Sequence, residues 1–245
     1  DVLGTYAWTS KNGMTYLLDS EGKATAIQDG KGNELTLAYD PATGLLESVT
    51  DSFGRSLQFA YHGDGKLETV TDPALHTVRF HYTGDNLTQV DYPDGRYKSY
   101  LYEDPNDPHN LTAILFGRDG VDTTQVEYLW SYDSQDRAVN SSQGGGNELV
   151  TLDYLSDTQT QMTNSRGQMT TFTFERIQGR LKITDVDGPG CPSCGAPAET
   201  QYTYDPDTQH LISSTDGEGN VTLYDSHDAF GQPWTVIEAY GSDDE

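Results

Sequence analysis

The chain has two cysteines in 245 residues, set as Cys191-Pro192-Ser193-Cys194 within a Gly/Pro-rich stretch from Asp187 to Pro197. Three chemistries compete for that spacing. A structural zinc site takes four ligands, and neither a second cysteine pair nor a closely spaced histidine pair is present to complete one. A thioredoxin-like redox pair needs a helix N-terminus to lower the thiol pKa, and a Gly/Pro loop supplies no helix. The third reading, a small disulfide between Cys191 and Cys194 stapling an exposed loop in an oxidising compartment, asks least of the surroundings.

The other reactive residue types form no recognisable constellation. The six histidines (62, 76, 81, 109, 210 and 227) are scattered. His76 and His81 are near each other, but a spacing of five on a strand puts them on opposite faces. No G-x-S-x-G elbow is present. The glycines Gly144-Gly145-Gly146 stand between strands without the helix and lysine of a phosphate cradle. Acidic clusters at Asp19-Ser20-Glu21-Gly22, Asp185-Val186-Asp187-Gly188 and Asp216-Gly217-Glu218-Gly219-Asn220 offer oxygen ligands for Ca²⁺, but they miss the EF-hand and nonapeptide spacings. Hairpin turns carrying solvated acids account for them. A glycosidase-type carboxylate pair needs only two acids at the right distance, which a sequence does not display. The residues therefore assign no catalytic, cofactor-binding or metal-binding position.

Composition narrows the partners. Lys plus Arg number 14 against 39 Asp plus Glu, a formal charge of -25, which repels phosphate backbones and anionic membrane surfaces. Nucleic acid is excluded as a partner on this ground. No apolar run approaches the roughly 20 residues of a spanning helix, so no membrane insertion through such a helix is expected. The hydrophobic share is 34% and the mean hydropathy -0.67, a weak endowment for a packed core. Sixteen tyrosines offset this, since a ring with a polar tip covers surface in a thin-walled structure. The opening at Asp1 and the acidic Gly-Ser-Asp-Asp-Glu tail read as a mature segment or a piece of a longer chain.

The elements that carry these residues repeat. Tyr39 to Tyr61 reads YDPATGLLESVTDSFGRSLQFAY, and its aromatic-ended alternation returns along the chain. The anchors are Tyr39, Tyr61, Tyr82, Tyr102, Tyr132, Tyr154, Phe174, Tyr204 and Tyr224, mostly 20 to 22 residues apart, with two steps of 30. Period-2 alternation over short runs marks half-buried strands. Turn chemistry follows most anchors, as in Tyr39-Asp40-Pro41 and Tyr61-His62-Gly63-Asp64-Gly65. A second strand of pattern L-x-x-V-T-D then runs from Leu46 to Asp51 and Leu67 to Asp72, with looser versions at Leu87 to Asp91 and Leu181 to Asp185, before another glycine turn such as Gly54-Arg55. Each unit is two strands and two turns. About nine such units predict an all-β antiparallel sheet of roughly 18 strands, curved or closed, with almost no α-helix. We read residues 1–245 as one repeat domain with insertion loops near 103–110 and 187–197, and its first and last strands as exposed edges.

The unit Y-D-x-x-G-x-L-x-x-V-T-D-x-x-G-R-x-x-x-F-x-Y resembles the RHS or YD repeat of bacterial RHS proteins, of the cocoon subunits of insecticidal toxin complexes and of teneurins, over about residues 8 to 238. The resemblance implies a β-hairpin ribbon spiralling into a hollow shell, often around a C-terminal toxin domain or as a secreted, cell-surface scaffold. The family's closing DPxGL-type cleavage segment is not found at the C-terminus. Asp40-Pro41-Ala42-Thr43-Gly44-Leu45 has one residue more and reads as a turn. A complete cocoon also uses more repeats than this chain supplies.

The function expected is thus a non-enzymatic scaffold, part of a shell that encloses, shields or presents another domain such as a toxin. Its partners would be other shell segments or a neighbouring chain through the edge strands, outside the cell or on its surface. A second class is a surface module contacting glycan or protein through loops and tyrosines. A hydrolase built on a carboxylate pair comes last.

Overall fold

The computed structural model describes residues 5–121, 124–189, 199–228 and 230–238. It divides into two compact units, Asp1–Tyr102 with Ile114–Gln125, and Glu103–Ala113 with Val126–Glu245.

The first unit carries β1 (Tyr6–Thr9), β2 (Thr15–Leu18), β3 (Ala24–Gln28), β4 (Glu34–Tyr39), β5 (Leu46–Asp51), β6 (Ser56–Tyr61), β7 (Leu67–Thr71), β8 (Thr77–Thr83), β9 (Asn86–Asp91) and β10 (Arg96–Leu101). Strand β11 (Ala113–Arg118) follows. The second unit carries β12 (Gln125–Tyr132), β13 (Ala138–Gln143), β14 (Asn147–Ser156), β15 (Gln159–Thr163), β16 (Met169–Ile177), β17 (Arg180–Asp187), β18 (Thr200–Tyr204), β19 (Leu211–Asp216), β20 (Val221–His227) and β21 (Pro233–Ile237). Strands β1 to β10 each pair antiparallel with the next in sequence. Strands β12 to β21 do the same. The all-β hairpin meander expected from the alternation is what folds. Among the described residues the sole helical segment is a 3-10 turn at Gly144–Gly146.

The described strands number 21, three more than the anchors count, because β1 to β3 precede the first aromatic anchor. Leu18 takes the anchor position there. It faces Ala24 across a register shift, as Tyr39 faces Leu46.

The turns explain why these segments fold into hairpins. At Asp51-Ser52-Phe53-Gly54-Arg55 the Asp51 Oδ1 accepts the N–H groups of Phe53 and Arg55, both at 2.9 Å, while the Asp51 N–H donates to the Arg55 carbonyl. Gly54 closes the turn at φ 78, a left-handed value that penalises a side chain. The same bonds recur at Asp29, Asp72, Asp133, Asn164 and Asp216. The neighbour after the left-handed residue often returns to the carboxylate, as Arg55 does to Asp51 at 2.7 Å and Asn33 to Asp29 at 2.6 Å. Hydrogen-bond donors hold these acids below the usual carboxylate range: at Asp51 the Arg55 N–H is the largest influence and at Asp40 the Thr43 N–H, whereas at Asp29, Asp133 and Asp216 the side chains of Asn33, Arg137 and Asn220 lead. Each acidic turn thus folds by binding its own carboxylate.

Strand alternation gives the sheet two unlike faces. Leu37, Val49 and Leu57 lie in one cross-strand row, Phe59, Val70 and Val78 in the next, then Phe80 with Val90. The opposite face carries Thr36, Thr50 and Ser56, then Gln58, Thr71 and Thr77. Hydroxyl pairs lace that face, Thr50 to Ser56 and Thr71 to Thr77, both at 3.1 Å.

Neither face carries a second layer within its own unit. Among the described residues the apolar ones that are buried are Ala26, Val90 and Ala113. Stability therefore comes from ladders, cross-strand pairs and ties between hairpins. Such ties include Lys23 Nζ donating to the Gly44 carbonyl at 3.1 Å, and Ser52 Oγ, which accepts from the Glu34 N–H at 2.7 Å and donates to its carbonyl at 3.1 Å.

Candidate functional site

Most aromatic anchors sit where a strand changes register. In β4–β5 the pairing runs Ala38 with Ser48, then Tyr39 with Leu46, so Glu47 is an extra, unpaired residue. Glu68, Thr88, Val139, Thr184 and Ile212 are extra in the same way, opposite Tyr61, Tyr82, Tyr132, Phe174 and Tyr204. Each such bulge bends its strand and increases the local twist. Where the extra residue is threonine, its hydroxyl donates across the ladder: Thr25 to the Leu17 carbonyl at 3.3 Å, Thr88 to His81 at 3.2 Å and Thr184 to Thr173 at 3.3 Å.

The anchor hydroxyls bind the carbonyl beside the preceding hairpin's bulge. Tyr61 donates to Leu46 and Tyr39 to Ala24, both at 2.9 Å; Tyr102 donates to Leu87 at 3.0 Å and Tyr154 to Ala138 at 2.8 Å. Tyr132 reaches Leu111 at 2.8 Å, across the longer unit created by the loop at 103–110. A cation covers several anchor rings: Lys23 lies 5.3 Å from the centre of Tyr39, Arg137 4.1 Å from Tyr154 and Lys182 5.3 Å from Tyr204. Burial pushes the phenol pKa of Tyr102, Tyr132 and Tyr204 up, which keeps them protonated.

Among the described residues Tyr204, under Lys182, is not placed in such a carbonyl bond, and three further anchors depart from this pattern. Tyr82 meets the edge of the His62 ring at 6.0 Å. Phe174 has no hydroxyl and lies inside a longer hairpin, with Ile183 opposite, so the second strand there is aligned on Ile183 and not on Leu181. Tyr224 lies mid-strand, its hydroxyl 3.3 Å from Ser214 Oγ, and His227 takes the strand-end position opposite Pro233.

The chemically reactive residues are dispersed. His76 pairs with Asp72 at 3.0 Å in a turn before β8, and His81 with Asp91 at 2.7 Å on the polar face. The structure brings together one histidine pair that linear spacing hides: the rings of His210 and His227 lie 4.5 Å apart. Asp185 and Asp187 belong to strand β17, which corrects their reading as turn acids. Burial, with Glu199 and Asp187 nearby, pushes the Asp185 carboxyl up. Among the described residues no group of three His, Cys, Asp or Glu is placed to hold a metal ion, and no helix is long and apolar enough to cross a membrane. Cys191 and Cys194 lie outside the described residues. In the loop at 103–110, Asn110 Nδ2 donates to Asp104 Oδ2 at 2.9 Å and to Asp136 Oδ1 at 3.3 Å, closing the loop and tying it to the next turn.

No family model matches the chain, and no curated protein matches it. Solved structures similar to it include TcdB2-TccC3-Cdc42, at 10% identity and a TM-score of 0.48, over 96% of this chain and 16% of that chain. The Photorhabdus luminescens Tc holotoxin pore with a TccC3 mutation is similar at 11% identity and a TM-score of 0.31, over 94% of this chain and 15% of that chain. A porin-like protein from Bacteroides uniformis is similar at 13% identity and a TM-score of 0.32, over 95% of this chain and 92% of that one. The chain spans about one sixth of the toxin-complex chains.

Proposed function

We propose that the chain is a structural wall, one repeat domain over residues 1–245, in an RHS/YD-type shell that encloses, shields or presents another domain such as a toxin, outside the cell or on its surface. The observation that carries this reading is the apolar face of Leu37, Phe59, Val70 and Phe80, which has no second layer within its unit. An apolar sheet face needs a cover. In this reading the cover is further hairpins of the same repeat or an enclosed domain, reached through the edge strands β1 and β21.

The test is hydroxyl-radical labelling of Phe59 and Phe80 in the isolated 245 residues and in the natural protein that contains them. The proposal expects strong labelling in isolation and protection in the natural protein. Equal labelling in both overturns it.

A further inference from the structure

Two grooves lie side by side where the turns of the first unit meet its apolar face. The first, of about 300 Å³, has Ile27 and Leu35 as its floor and Phe53 as its wall. The second, of about 480 Å³, has Val49 and Leu57 as its floor and Pro73 as its wall. The turn Asp51–Arg55 separates them, and its Asp51 and Arg55 line both.

Phe53 is the unexpected residue. It is 80% exposed at a turn tip, at the turn position that Phe230 also holds in the second unit and that Lys31, Ala74, Arg166 and Glu218 occupy in other matching turns. The turn is made by Asp51 and Gly54 and does not require a ring. Arg55 lies 5.6 Å from the ring centre.

Groove spacing and charge select the occupant. Adjacent strands lie about 4.8 Å apart, so grooves one hairpin apart repeat at about 9.6 Å. Side chains on one side of an extended strand repeat at about 6.7 Å and miss this step. A polyproline II helix has three residues per turn and a rise of about 3.1 Å, which brings every third side chain back at about 9.3 Å. The grooves are lined by the carboxylates of Asp29, Glu34, Asp51 and Asp72 against the one guanidinium of Arg55. The backbone and side-chain bonds at Asp29, Asp51 and Asp72 hold these three acids ionised.

We infer that these paired grooves bind a basic polyproline II peptide, with apolar residues at every third position seated in the grooves and Lys or Arg residues facing the acidic rim. Its floor residues Val49 and Leu57 belong to the apolar face that the shell reading covers, so in a shell the peptide would compete with that cover, and the site is tested on the isolated 245 residues. It needs only the first unit.

A fluorescein-labelled nonapeptide of three Leu-Pro-Lys triplets, titrated with the full chain and followed by anisotropy, tests this. Saturable binding is expected, weakened about tenfold by Phe53→Ser, which removes one apolar contact. Phe230→Ser changes a similarly exposed turn phenylalanine of the second unit and should leave binding unchanged. A shuffled peptide of the same composition with leucines at every second position should bind more weakly, and a Leu-Pro-Glu version should not bind. Equal affinity for the shuffled peptide, binding of the acidic peptide, or an unaltered affinity in Phe53→Ser overturns the proposal. Because Phe53 is at an exposed tip, an unchanged far-ultraviolet spectrum separates loss of the site from loss of the fold.

Discussion

The stretch β4 to β9 and the stretch β12 to β21 are built on one rule but obey it with different strictness. In the first, three successive hairpins shift register one residue before Tyr39, Tyr61 and Tyr82. In the second, the shift persists before Tyr132, Phe174 and Tyr204, but the anchor chemistry varies. Phe174 has no hydroxyl, β14 has its extra residue at Leu155 on the other strand, and β20 ends on His227. What the two stretches share is the bulge. The tyrosine is one way of serving it, by binding the carbonyl that the bulge leaves beside it.

Substitutions can separate these layers. The largest effect is expected from Gly144→Ala, where an added Cβ would lie 1.9 Å from the Val126 carbonyl oxygen; a rigid backbone clash should cost about 3 kcal/mol in urea unfolding. Gly117→Ala is the counterpart in the first unit. Its Cβ would meet the Tyr97 ring at 2.2 Å, and because a ring end can swing aside the cost should be nearer about 1.5 kcal/mol. If Gly117→Ala proves the costlier, the Tyr97 ring is fixed more firmly than its contacts indicate.

Next comes Tyr102→Phe, which removes the hydroxyl bound to Leu87 and should cost about 1 kcal/mol. Tyr154→Phe should cost a similar amount, so a large difference between the two would show that the units use their anchors unequally. Acid should then act on the turns of both units. Asp40, Asp51, Asp133 and Asp216 have folded pKa values below their ordinary one. Their contribution is complete above the unfolded carboxylate value, near 4, and is lost as pH falls through the depressed folded values. Asp185 works in the opposite sense: its pKa is raised, so its ionisation weakens the fold as pH rises through that value. Asp185→Asn should flatten the part of a stability-against-pH curve just above the ordinary carboxylate range, whereas Asp51→Asn should flatten the acid limb. The smallest effect is expected from Arg55→Ala, which removes an exposed ion pair and should leave the unfolding midpoint unchanged. Arg137→Ala should shift it measurably, because that guanidinium also stacks on Tyr154.

The hairpins were legible because alternation, turn residues and aromatic ends coincide, as from Tyr39 to Tyr61. The first three strands were not, because Leu18 serves where a ring was sought. The bulges were also hidden, since an unpaired Glu47 or Thr88 is defined by its partner strand and has no signature of its own. Asp185 and Asp187 looked like turn acids, yet the long β16–β17 hairpin draws them into a strand. The His210–His227 pair joins residues seventeen apart, one in a turn and one at a strand end, and only register could bring them together. The grooves around Phe53 depend on two neighbouring turns at once, so a reading of one unit at a time passes over them.

The account rests on a hairpin that loses one residue of register before most anchors, as at Tyr39, Tyr61, Tyr82, Tyr132, Phe174 and Tyr204. Interstrand nuclear Overhauser contacts in the first unit measure this directly. They should pair Ala60 with Thr69 and then Tyr61 with Leu67, with the same step repeated from Ala38–Ser48 to Tyr39–Leu46. Contacts that continue in register, placing Tyr61 opposite Glu68 and Tyr39 opposite Glu47, would contradict it.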